Sequence, residues 1–167
     1  RLMVMKKMKI NNNIMKTKVF MSALLCALAA CSSSNDNDTT PPIITDEGVA
    51  ACPSDCQVFK RGNVIPFQYV FTDDVELGNF NIEVHNNFDH HTHTTSAVEC
   101  KADTIKTPVQ PWVYNSDFDI PHGLKTYTAI LNIDIPTDAD AGDYHFMIRV
   151  TDKAGWQEIR SVAIRVE

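Results

Sequence analysis

The sequence predicts an all-β sandwich of about seven antiparallel strands, and three observations carry that expectation. Apolar residues alternate with polar ones over several stretches, the period-two signature of strands with one buried face. Turn-forming residues break those stretches at short intervals, and nothing past the leader reads as a helix. A tyrosine, Tyr144, directly follows the turn Asp140-Ala-Gly-Asp143 at the start of one alternating stretch.

Asn63 to Thr72 (NVIPFQYVFT) places Ile65, Phe67, Tyr69 and Phe71 on one face. Leu77 to Asn86 turns Phe80, Ile82 and Val84 inward and Asn81, Glu83 and His85 outward. The stretch from Thr94 to Gly123 is irregular, with room for one edge strand. Leu124 to Ile135 alternates again through Leu131, Ile133 and Ile135. Asp143 to Thr151 sends Tyr144, Phe146, Ile148 and Val150 in, and His145, Met147 and Arg149 out. Trp156 to Val166 ends the set, joined to the previous strand by the turn TDKAGW. The Asp140–Tyr144 pattern resembles the tyrosine corner of immunoglobulin-like domains, where the hydroxyl returns to the backbone and clamps the turn. That resemblance implies an immunoglobulin-like sandwich over residues 46–167.

The leader is set apart from this domain. From Met15 the chain reads MKTKVFMSALLCALAAC, with Lys16 and Lys18 ahead of an apolar stretch from Val19 to Ala30. That stretch is too short for a membrane-spanning helix of about 20 residues and fits a signal peptide. LAAC (Leu28 to Cys31) has the form of a bacterial lipobox, so Cys31 is the expected lipidation site. Residues 1–30 are therefore expected to be an over-extended start plus a signal peptide. Residues 31–45, in which SSSNDNDTTPP directly follows Cys31, are expected to form a flexible acidic tether. The tether resembles the acidic export tag of surface lipoproteins in Bacteroidetes, which implies the outer face of the outer membrane.

Six of the 15 basic residues precede Cys31 and all 21 acidic residues follow it, so the processed chain carries a charge of about −12. Such a surface repels nucleic acid and attracts cations. An exported domain tolerates disulfides. One bridge is expected from Cys100 to Cys52 or Cys56, with Cys56 preferred because it lies nearer the first alternating strand.

The residues that point to chemistry lie in HNNFDHHTH, residues 85–93, which holds four of the six histidines. In an immunoglobulin-like sandwich the strands at 77–86 and 143–151 are antiparallel neighbours. His85 ends one and His145 begins the other, both out of phase with the apolar positions. Directly paired residues on such strands have β-carbons ~4.5–5.5 Å apart. His85, Asp89, His90, His91, His93 and His145 are the candidate metal ligands, with Asn86, Asn87 and Thr92 as groups that orient the rings. Imidazoles with a carboxylate suit zinc or copper first, then iron or nickel. His122, in IPHG, belongs at the other end of the sandwich and is expected to be structural.

The segments FKRGNVIPF, LGNFNIEVHNNFDHHTH and GDYHFMIRVTDKAGW, with the lipobox, resemble an uncharacterised family of Bacteroidetes lipoproteins with an immunoglobulin-like domain. The resemblance implies a membrane-anchored envelope protein encoded near outer-membrane transport systems, with an outer-membrane transporter as a partner. It supplies no catalytic residues. The chain has no HExxH, no nucleophile elbow and no evident pair of catalytic carboxylates, so no enzyme is expected. Metal capture or delivery is the first functional expectation. The alternative is a glycan- or protein-binding module with incidental histidines, in which Trp112, Tyr114 and Phe118 would form a stacking platform, although PWVYNSDF is expected first to serve core and edge packing.

Overall fold

The computed structural model describes residues 38–92 and 100–167. The signal peptide, Cys31, residues 31–37 of the tether and His93 lie outside the described residues. Eight strands follow in chain order: β1 (Ile43–Thr45), β2 (Gln57–Phe59), β3 (Val64–Thr72), β4 (Leu77–Asn86), β5 (Tyr114–Asp119), β6 (Thr126–Asp134), β7 (Gly142–Asp152) and β8 (Gln157–Val166). One sheet has the order β1-β3-β6 and the other β2-β8-β7-β4-β5. No helix occurs among the described residues.

The inward positions read from the alternation build the core. Ile65, Phe67 and Phe71 of β3 are fully buried, as are Ile82 and Val84 of β4 and Phe146, Ile148 and Val150 of β7. Phe67 meets Phe146 across the sandwich with ring centroids 5.8 Å apart, and Phe71 meets Phe80 at 5.1 Å. Each such ring removed from water contributes roughly 1.5–3 kcal/mol. A one-residue slip of β4 or β7 would turn this whole set to the outside, which pins the register. The observed pairs are Phe80↔Val150, Ile82↔Ile148 and Val84↔Phe146.

Two details differ from the sequence reading. Ile43–Thr45, expected to belong to the tether, is strand β1 paired to β3, with Ile44 packed against the core. The sandwich is not wholly antiparallel, because β2 pairs with β8 in parallel and places Phe59 in the core. β1 and β2 have three residues each, too few to display a period. The PWVYNSDF segment packs as expected: Trp112 is buried and Phe118 stacks on Phe80 at 4.9 Å, so those rings serve the core and the edge strand β5.

The tyrosine corner is present. The Tyr144 hydroxyl donates to the Asp140 carbonyl (2.7 Å) and accepts from the Trp112 backbone N–H (3.2 Å). Burial pushes its pKa up, so the hydroxyl stays protonated and keeps donating. Tyr144→Phe keeps the ring but removes both hydrogen bonds, and is expected to cost about 1–3 kcal/mol in urea denaturation. An unchanged midpoint would show that the clamp adds nothing to stability.

Candidate metal centre

The ladder between β4 and β7 runs past the core pairs to His85↔His145 and Asn86↔Tyr144. Parity alone puts both histidines on the outer face of the five-stranded sheet. Their ring centroids are 5.5 Å apart. The chain then leaves β4 and turns back over that face. The Asn87 N–H bonds to the Asp143 carbonyl, and the His90 N–H to the Asn87 carbonyl. His90 takes a left-handed backbone (φ 58°), which reverses the chain. Phe88 anchors the turn: its ring is buried edge-on against Tyr144, with centroids 5.3 Å apart. Gly142 leaves room for it, since a β-carbon there would lie 2.8 Å from the Phe88 ring.

The turn brings a third ring to the pair. His91 stands 5.0 Å from His145 and 5.5 Å from His85, centroid to centroid. Its backbone carbonyl lies 3.2 Å from His145 Nε2, which donates to it. One of the rings is held by a carboxylate and a second lies close to one. His91 Nδ1 hydrogen-bonds Asp89 Oδ1 at 2.6 Å, and His85 Nδ1 lies 3.0 Å from Glu83 Oε1 without hydrogen-bond alignment. An ionised carboxylate only accepts, so His91 Nδ1 donates and its Nε2 offers the lone pair. The hydrogen bond to His91 holds the Asp89 carboxyl below its usual pKa.

His145 was expected to face solvent, and here the structure corrects the sequence reading: the residue is only 4% exposed. The covering chain is responsible. Besides residues 87–92, the segment that begins at Cys100 crosses the same face. The Asp103 N–H bonds to Asp143 Oδ2, and Arg165 bonds both to the Lys101 carbonyl and to Asp143. Cys56 and Cys100 form a disulfide that ties this segment to the start of β2, while Cys52 remains a thiol. A cleft of about 510 Å³ lies between these pieces, lined by Asn87, His90, His91, Cys100, His145 and Arg165, among others.

A model of a domain of unknown function, DUF4625, matches residues 29–167. The chain belongs to that family. No curated protein matches it significantly. Membership assigns no residue a role, so the case for the DUF4625 site rests on its own geometry.

Of the residues singled out beforehand, the structure brings His85, His91 and His145 together. Asp89 is placed as the partner of His91, and His90 lines the cleft beside them. Asn86 ends β4, Asn87 fixes the turn through its backbone, and Thr92 is exposed. Among the described residues a carboxylate close to the site that sequence reasoning missed is Glu83, 3.0 Å from His85 Nδ1. Parity could have found it, since Glu83 and His85 are two apart on one face of β4. His122 lies 3.6 Å from Glu76, just before β4 begins, roughly 30 Å along the strand from His85.

Proposed function

We propose that this DUF4625 protein is a cell-envelope lipoprotein that binds a transition metal, zinc or copper, for capture or delivery. The carrying observation is the mutual spacing of three imidazoles at 5.0, 5.5 and 5.5 Å. With a zinc–nitrogen bond of ~2.0–2.1 Å, a ligating imidazole centroid lies ~3.2 Å from the ion, so two tetrahedral ligands stand ~5.2 Å apart. The ring spacing fits that shell, and rotation about χ2 aims the nitrogens. The Asp89 carboxylate behind His91 is the kind of partner that metal-bound imidazoles characteristically use. The LAAC box with Cys31 and the acidic segment after it support attachment to the outer membrane with the domain facing outward. An outer-membrane transporter is the partner such a placement suits.

The test is direct. Untagged protein titrated with zinc or copper at pH 7 should bind one ion per chain, and binding should weaken from pH 7 to pH 5 as protons compete for imidazole nitrogen. Binding that is absent, or that does not change between pH 7 and 5, would overturn the reading.

A further inference from the structure

The opposite end of the sandwich carries a second cluster of different chemistry. Asp73 and Asp74 lie in the β3–β4 loop, Asp152 ends β7, and Asp38 precedes β1. Oxygens of Asp38, Asp73 and Asp74 lie within 4.8 Å of one another. Backbone and side-chain contacts hold them there. Asp73 Oδ1 accepts from the Val75 and Glu76 N–H groups (2.8 and 2.7 Å). Thr40 reaches both Asp38 Oδ1 and Asp74 Oδ2. The Trp156 indole N–H donates to the Asp38 carbonyl at 2.9 Å.

Acidic groups alone would make an ordinary solvated corner, but Asp152 does not fit that description. It is 4% exposed, and its Oδ1 accepts from the Gly155 and Trp156 N–H groups (2.6 and 2.8 Å). Its Oδ2 is buried and meets no hydrogen-bond donor among the described residues, and the same holds for Asp73 Oδ2. A buried carboxylate oxygen without a donor costs several kcal/mol unless a cation compensates it. Burial raises the Asp152 pKa, and the nearby charges of Asp38 and Asp73 push the same way. The basic groups of this end are engaged elsewhere: Lys125 donates to the Asp74 backbone carbonyl, while Lys153 and His122 lie by Glu76.

We propose that Asp38, Asp73 and Asp74, backed by Asp152, form a calcium site at the end of the sandwich opposite the histidines. Calcium accepts several protein carboxylates in a flexible shell, whereas magnesium keeps most of its waters and takes one or two carboxylates. A group of three carboxylates from separate positions therefore suits calcium. Hard carboxylate oxygens also separate this site from the imidazole cluster, which favours softer metals. The ion ties together two segments far apart in sequence, the start of the domain and the β3–β4 loop, beside the β7–β8 turn whose Trp156 already bonds to Asp38.

Thermal unfolding of the full chain in chelator and in calcium tests this, with terbium luminescence sensitised by Trp156 as a binding signal. At tenfold excess of calcium over its Kd, the midpoint of a domain of roughly 130 residues should rise by about 5 °C. Asp74→Asn removes an exposed ligand that the fold does not need, and should lower calcium affinity at least tenfold and abolish the terbium signal. Asp152→Asn keeps the acceptor for Gly155 and Trp156. It should raise the midpoint in chelator yet shrink the calcium increment, so wild type and variant change order between the two conditions. His91→Ala should leave the increment intact, which separates this site from the metal centre. No shift in wild type, an equal shift in Asp74→Asn, or an equal shift with magnesium would overturn the calcium site.

Discussion

His91→Ala should weaken zinc binding at least tenfold at pH 7, a loss of about 1.4 kcal/mol, while leaving the apo fold close to wild type. The side chain is 37% exposed and lies on the covering turn rather than in a sheet, so little packing is lost with it. His145→Ala should weaken binding by a similar factor and also destabilise the apo protein. Its ring is buried and donates to the His91 carbonyl, so truncation leaves a cavity and an unpartnered acceptor, together worth about 1–3 kcal/mol. Affinity and stability must therefore be measured separately for that variant, by calorimetric titration and by denaturation. Asp89→Asn retains the shape but not the acceptor charge behind His91, and a loss of ~10–100-fold is expected. His122→Ala is the control, since that residue sits beside Glu76 at the other end of β4 and should change nothing. Wild-type affinity in both His91→Ala and His145→Ala would dismiss the shared site.

Much of this arrangement is legible in the sequence because a strand has only two faces. β4 is found at the residues expected, and the out-of-phase histidines of β4 and β7 pair directly, because antiparallel neighbours with fixed core registers leave them no other position. The tyrosine corner is likewise local, built from residues four apart. What alternation does not encode is what lies on top of a face. Periodicity marks His145 as outward, yet residues 87–92 and the segment from Cys100 cover it, using Phe88, Asp143, Arg165 and a disulfide from distant parts of the chain. Glu83 was read as a solvent-facing residue because its partner depends on where the His85 ring turns, not on spacing alone. The aspartate corner escaped notice for the same reason. Asp38, Asp73 and Asp74 are unremarkable turn and loop residues until the fold brings the segment before β1 against the β3–β4 loop.

Replacing Cys56 and Cys100 together by serine should cost about 2–4 kcal/mol of stability, the largest single loss expected outside the aromatic core. The bridge spans 44 residues, a loop long enough for cross-linking to remove much freedom from the unfolded chain. A second effect is local. Cys56 lies beside β8, with its N–H bonded to the Ala163 carbonyl at 2.8 Å, and Ala163 pairs directly with His145. The bridge therefore holds Cys100 and the segment after it against the strand next to the histidines. Cutting it loosens one wall of the cleft that contains His91 and His145, so zinc affinity should fall along with stability. Cys52 cannot rescue the bridge in that variant, because no other cysteine remains in the domain to pair with it. In the oxidised protein burial raises its thiol pKa, so little thiolate is present at neutral pH to exchange with the bridge. Cys52→Ser in the oxidised protein should accordingly leave both the unfolding midpoint and zinc affinity unchanged. In the double variant, saturating zinc should restore part of the lost stability, because the ion binds the folded chain and ties the same wall from the other side. A double variant with wild-type zinc affinity would show that the disulfide stabilises the domain without shaping the metal centre, and one with a wild-type denaturation midpoint would remove the stabilising role as well.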